Sequence, residues 1–294
     1  MPKAFAARNT GREGWRHRVR RPASVVVLAS GGLDSCALIG RYARAGIDVH
    51  PLFVRCGLIW EDAELAHLRR FLRALPADLA RHLRPLKVSR IAMGDLYGDH
   101  WSTTGRGVPG WLAADNSVYL PGRNVALLAQ AAIHAALIGA PRVAIGTLKG
   151  NPFPDGAPRF FAAMQRSLSL GLDFPLKLEA PFLRYDKERI IMEAAGLPLD
   201  KSFSCSRPRM TRSSTVSSAR PCGACAKCRE RILAFRNAGG SAIKRPLCAT
   251  STNTRSLHDQ SHHVDCGRLL PGRRGAGACR RDRRLASLPV RLPG

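Results

Sequence analysis

The chain has 294 residues, 45% of them hydrophobic and 23% charged, which is enough apolar material for one large or two small domains with a proper core. Its formal net charge of +26 is unevenly spread: residues 1–22 carry seven Lys/Arg against one Glu, and residues 241–294 carry eleven against three Asp. Neither end shows sustained apolar periodicity or a long apolar run, which excludes a secretion signal or membrane span there and predicts basic, disordered arms at 1–22 and 241–294.

Such arms meet nucleic acid only nonspecifically, through charge. The C-terminal arm also holds Cys248, Cys266 and Cys279 with His262 and His263, at spacings too irregular for a metal site. Between the arms, residues 23–200 are expected to form an α/β domain and 201–240 a second, cysteine-bearing region.

The first element is read from SVVVLASGGLDSCALIG (24–40). Val25, Val26, Val27 and Leu28 form a β-branched run that reads as a strand buried on both faces. After Gly31 and Gly32, apolar residues recur at helical spacing as far as Ala43, and Gly46 stops the helix. A glycine pair between strand and helix lets backbone N–H groups approach an anion at a helix N-terminus. The absence of a following lysine excludes GxxxxGK[ST], and GxGxxG is also absent. The remaining pattern, SGGxDS, resembles the pyrophosphate loop of N-type ATP pyrophosphatases; a plain turn with Asp34 as N-cap is the structural alternative.

Further strands are predicted at 48–56, 84–91 and 141–148, with helices at 61–75 and 124–140. This alternation argues for a doubly wound parallel sheet, whose ligands sit beyond the strand C-termini. In VYLPGRN (118–124), Pro121–Gly122 is a turn and Asn124 is expected to cap a largely buried helix, with His134 packed inside it. Arg123 at that mouth suits a phosphate or carboxylate, or a surface ion pair. Asp155 lies in a Pro/Gly loop, and Asp186 starts a helix whose first turn holds Lys187, an unfavourable place for a cation unless it is paired or solvated. Near the end, PCGACAKC places Cys222, Cys225 and Cys228 as CxxCxxC, with Cys205 sixteen intervening residues upstream. These spacings suit tetrahedral zinc, with disulfides or thiol chemistry as alternatives in another compartment or role.

Taken in order, SGGLDS, LPGRN, a PD loop, EAPFLRYDKERI, SC and CxxCxxC resemble the 7-cyano-7-deazaguanine synthase (QueC, preQ0 synthase) family over residues 24–237. The resemblance implies an adenine nucleotide α hydrolase-like fold, a cytoplasmic enzyme and often a homodimer. It further implies a ligase that joins ammonia to 7-carboxy-7-deazaguanine using ATP with Mg²⁺, with one structural Zn²⁺ per chain, in queuosine biosynthesis. It assigns Ser30, Gly31, Gly32, Leu33, Asp34 and Ser35 to ATP, and Asp34, Arg123 and Lys187 to catalysis. Asn124 and Asp155 fall to the substrate, and Cys205, Cys222, Cys225 and Cys228 to zinc. Two segments depart from the family's usual pattern: CGLIW (56–60) replaces YGQRH, and GNPFPDGAPR (150–159) replaces DxSGYPDCR. A related ligase for another carboxylate, or a tRNA-modifying enzyme that adenylates a base carbonyl, shares the same phosphate loop.

Overall fold

The computed structural model describes residues 23–211 and 218–239, so the basic arms, with Cys248, Cys266, Cys279, His262 and His263, lie outside the described residues. The chain runs β1 (Ser24–Leu28), α1 (Leu33–Arg44), β2 (Asp48–Arg55), α2 (Glu61–Arg73), α3 (Ala77–Ala80), β3 (Lys87–Arg90), α4 (Gly94–Tyr97) and α5 (Trp101–Thr104). It continues with α6 (Arg123–Ile138), β4 (Arg142–Ala144), α7 (Pro158–Gly171), β5 (Lys177–Glu179), α8 (Lys187–Glu193), β6 (Arg209–Thr211), β7 (Ser218–Arg220) and α9 (Ala226–Asn237). No helix among the described residues is long and apolar enough to cross a membrane.

Five strands pair in parallel in the order β3-β2-β1-β4-β5, the doubly wound arrangement that the alternating pattern predicts. Strand alternation divides the core into two layers. Val25, Val27, Val49, Phe53 and Ala144 face α1, α2 and α8. Val26, Leu28, Leu52, Val54 and Val143 face α6 and α7. Because both faces are covered, β1 is apolar at every position but its first, as a buried parallel strand must be.

Three predicted elements differ. The strands expected at 84–91 and 141–148 shorten to four and three residues, and β5, flanked by Pro175 and Pro181, carries too little apolar pattern to be read from sequence. Helix α6 is not buried all round. Leu128, Ala131, Ala132 and Ala135 pack on the sheet, whereas Val125, Ile133 and Leu137 are 43%, 44% and 80% exposed and His134 is half-buried. A helix beside a single sheet face has only one side to bury.

The order β2-β1-β4 makes the connections after β1 and β4 diverge, and the crevice between them is where an open α/β sheet binds ligands. The loop after β1 is shaped by its neighbours. Gly31 has φ +79°, and a Cβ there would lie 2.6 Å from the Glu64 carbonyl on α2. Gly146, after β4, would place a Cβ 3.3 Å from the backbone of Asp34. Replacing Gly31 with alanine is expected to destabilise the fold by about 1–3 kcal/mol through combined backbone strain and displacement of α2, read as a lower denaturation midpoint at unchanged m-value.

Candidate active site and metal centre

The phosphate-loop candidate is built as a strand–turn–helix. Ser30 Oγ accepts from Gly32 N at 3.2 Å and lies 3.2 Å from Ser35 Oγ, while Ser35 Oγ donates to Gly32 O at 3.1 Å. Gly32 occupies the N-cap of α1 and provides no side-chain cap. Asp34 therefore stands inside the first turn and is not its cap. The first-turn N–H groups of Leu33, Asp34 and Ser35 point out of the helix end without intrahelical acceptors, a ready anion cradle.

Asp34 would repel an anion were it not paired. Lys187 Nζ, in the first turn of α8, sits 3.3 Å from Asp34 Oδ2 and 2.5 Å from Glu230 Oε1, and Lys227 Nζ adds a contact to Glu230 Oε2 at 3.1 Å. Burial raises the Asp34 carboxyl above its ordinary range in spite of Lys187. Burial also works to lower the Lys187 ammonium, but Asp34 and Glu230 outweigh it and hold the group above its ordinary value. For Glu230, desolvation is outweighed by Lys227 and Lys187, which hold the carboxyl at about 2. The cation in a first turn is thus explained by two carboxylates from other segments. Asp186 caps α8 as expected, accepting from Arg189 N at 2.9 Å.

Asn124 proves not to be the cap of α6: Gly122, in the left-handed region, takes that position. Asp155 supplies the cap from another segment, its Oδ2 accepting from Asn124 N at 3.2 Å, while Asn124 Nδ2 donates to Asp155 O at 2.9 Å. Asp155 is only 7% exposed, and burial raises its carboxyl. Arg123 presents a buried Nε without an acceptor among the described residues.

A cavity of about 450 Å³ brings these groups together: Ser30, Asp34, Arg123, Asn124 and Asp155 all line it, with Lys149 and the Tyr119–Phe153 stack, centroids 4.9 Å apart. Lys187 lines a smaller cavity of about 170 Å³ that shares Ser30, Asp34 and Arg123 with the first. Sequence reasoning missed Glu64, Lys149, Lys227 and Glu230. Lys227, inside the last CxxC, and Glu230, two residues beyond it, stand at i, i+3, a spacing that puts both on one helix face. Glu64 is a carboxyl on the inward side of α2, which also holds the buried Glu61 and His67, and burial pushes it up to about 8 against the pull of Arg123.

Cys205, Cys222, Cys225 and Cys228 bring their four Sγ atoms within 4.8 Å of one another. The separations of 3.9 Å for Cys222–Cys228 and 4.0 Å for Cys225–Cys205 match the edge of about 3.8 Å expected for a tetrahedron with bonds of about 2.3 Å. Backbone N–H groups of Cys222 and Ser206 point at Cys205 and Cys225 Sγ, as they would toward thiolates. The four thiols fit a metal ion such as zinc. This centre abuts the phosphate loop, since Phe203 N donates to Gly31 O at 2.8 Å.

Fold and site together define a doubly wound α/β enzyme with an anion cradle at its switch point and an appended four-cysteine centre. The chain belongs to the QueC family: the profile described as queuosine biosynthesis protein QueC matches residues 24–239. It is 35% identical to the 7-cyano-7-deazaguanine synthase of Anaeromyxobacter sp. (strain Fw109-5), covering 75% of this chain and 95% of that protein. It is 34% identical to the synthase of Anaeromyxobacter dehalogenans (strain 2CP-C), covering 73% and 92%, and 30% identical to that of Halobacterium salinarum (strain ATCC 29341 / DSM 671 / R1), covering 73% and 91%. It is accordingly a ligase-type enzyme with a QueC-type function in queuosine biosynthesis.

The depressed Glu230 carboxyl adds stability that is complete above its ordinary value of 4.5 and is lost as pH falls toward about 2. Acid titration of the unfolding free energy should therefore show a downward limb between those values, and Glu230→Gln should flatten it.

Proposed function

We propose that this chain converts 7-carboxy-7-deazaguanine and ammonia to 7-cyano-7-deazaguanine at the expense of ATP. The observation that carries the reading is the single cavity in which the cradle at α1 faces the Asn124–Asp155 pair, with Arg123 in its wall and the Arg123 Nε without an acceptor among the described residues. In this reading Ser30, Gly32, Leu33, Asp34 and Ser35 hold the nucleotide phosphates through backbone donors and hydroxyls, and Mg²⁺ arrives with the nucleotide as counter-charge. Gly31 serves the same loop indirectly, by letting α2 pack against it. The substrate carboxylate attacks the α phosphorus, pyrophosphate leaves, and ammonia displaces AMP to form the amide. A second ATP then activates the amide oxygen for loss with AMP, leaving the nitrile.

Arg123 is assigned to the charge on the transferring phosphorus or the carboxylate, and Lys187 keeps Asp34 and Glu230 neutralised beside the incoming phosphates. Asp155, held by Asn124, offers an acceptor edge to the N–H groups of the deazapurine. Zinc at Cys205, Cys222, Cys225 and Cys228 would be structural, because four sulfur ligands leave no position for water.

A second reading is favoured by residues 56–60. Cys56, Leu58 and Trp60 are buried, and Trp60 stacks on Trp101 at 5.6 Å beside the smaller cavity. An apolar wall in place of the family's Gln-Arg-His suits an adenylating ligase for a different carboxylate.

Mass spectrometry after incubation with ATP, Mg²⁺, ammonium and 7-carboxy-7-deazaguanine is expected to show the nitrile with AMP and pyrophosphate. ATP binding without product from this acid would turn the assignment to the second reading. Arg123→Met is expected to lower kcat/KM by about 10²-fold or more, the cost of removing a transition-state donor. Cys225→Ser is expected to lose the equivalent of zinc found by elemental analysis, lower Tm, and weaken ATP binding through the Phe203–Gly31 contact.

A further inference from the structure

We infer that Glu64 is a catalytic residue, the carboxylate that takes the proton ammonia must lose as its nitrogen displaces AMP from the acyl carbon. The inference rests on the adenylating reading above. In the step, a C–N bond forms, the C–O bond to AMP breaks with its electron pair leaving on AMP, and one N–H proton passes to Glu64 and then to solvent. Neutral amide, AMP and the proton account for every atom and charge.

Elimination within the cavities leads to this residue. Five carboxyl side chains line them: Asp34, Glu64, Asp115, Asp155 and Glu230. Four are engaged by a charged or N–H partner, Asp34 through Oδ2 and Glu230 by Lys187 at 3.3 Å and 2.5 Å, Asp115 by Arg229 at 2.7 Å, and Asp155 by the N–H of Asn124 at 3.2 Å, although Asp34 Oδ1 has no hydrogen-bond partner among the described residues. Among the described residues, Glu64 has no hydrogen bond or ion pair on its carboxyl, and no histidine lines either cavity. The lysines there are cations and cannot accept a proton.

Position agrees with that vacancy. Glu64 lines both cavities, and its backbone carbonyl lies against Gly31 of the phosphate loop, so the side chain leaves α2 at the edge of the anion cradle. The charged groups that face it are Arg123 from α6, Lys227 from α9 and Glu61 from its own helix. Glu61 is occupied with Cys56 N at 2.6 Å and Gly57 N at 3.2 Å. Arg123, the group assigned to the substrate carboxylate or phosphorus, is thus a neighbour of the free carboxyl. Burial brings Glu64 to about 8, close to the working pH at which a general base transfers protons most effectively.

The test separates two half-reactions in the zinc-loaded full chain: acid-dependent exchange of labelled pyrophosphate into ATP, and ammonia-dependent amide formation. Glu64→Gln is expected to lower the ratio of amide formation to exchange by about 10²-fold or more. It should also abolish the rise of kcat/KM with pH through about 8 when rates are expressed against unprotonated ammonia. Glu64→Asp, which keeps an ionisable group, should retain that rise at reduced rate, and it carries the test if the glutamine variant fails to fold. An unchanged ratio and pH limb in Glu64→Gln, or a limb lost in Glu64→Asp, would overturn the role of Glu64 alone. No acid-dependent exchange in the unaltered chain would instead overturn the adenylating reading.

Discussion

Lys187 places a buried ammonium between Asp34 of α1 and Glu230 of α9, and it reaches them from α8, so three helices distant in sequence meet on one charge. Two carboxylates in a poorly solvated wall would repel each other; the lysine between them removes that repulsion. Lys227 adds a second cation to Glu230, so the cluster holds two cations and two anions. Such a set is a weak source of net stability, because desolvation offsets much of its attraction. What it supplies is register. The helix after the cysteine centre cannot slide along α8 without leaving a charge unpaired.

The cysteine centre and the phosphate loop are also one mechanical unit. Cys205 follows Phe203 and Ser204, and Phe203 donates to the carbonyl of Gly31 while its ring stacks on His67 of α2 at 4.6 Å. His67 in turn contacts the carbonyls of Lys201 and Ala219 at 3.0 Å and 3.2 Å. The other side of the centre is closed by Arg229, which donates to Trp111 O and Ala113 O. Packing of the four-cysteine centre thereby bears directly on the conformation of the glycine loop after β1.

Much of this was legible in the chain because its signals are local. The run Val25–Leu28 followed by two glycines specifies strand, turn and helix from neighbours alone, and short cysteine spacing specifies a shared ligand site. The order of motifs carried the family. What could not be read were groups whose roles depend on other segments. Asn124 has the chemistry of an N-cap, yet the positive φ of Gly122 moves the cap position and the distant Asp155 fills the vacancy. The apolar composition of α6 is the same on both sides, so sequence could not tell the face against the sheet from the one left open.

By itself the sequence determined the alternating α/β order, the glycine turn at the first strand–helix junction and the CxxCxxC thiols, since each arises from residues a few positions apart with fixed backbone geometry. Tertiary structure alone decided which charges are spent and which are free. Asp34 and Glu230 are neutralised by a lysine from a third helix, while among the described residues the Glu64 carboxyl makes no hydrogen bond or ion pair and meets Arg123 and Lys227 only at longer range. The reason is physical: pairing and desolvation act through space over a few ångströms, and the residues that meet here are separated by some forty to more than a hundred and fifty positions along the chain.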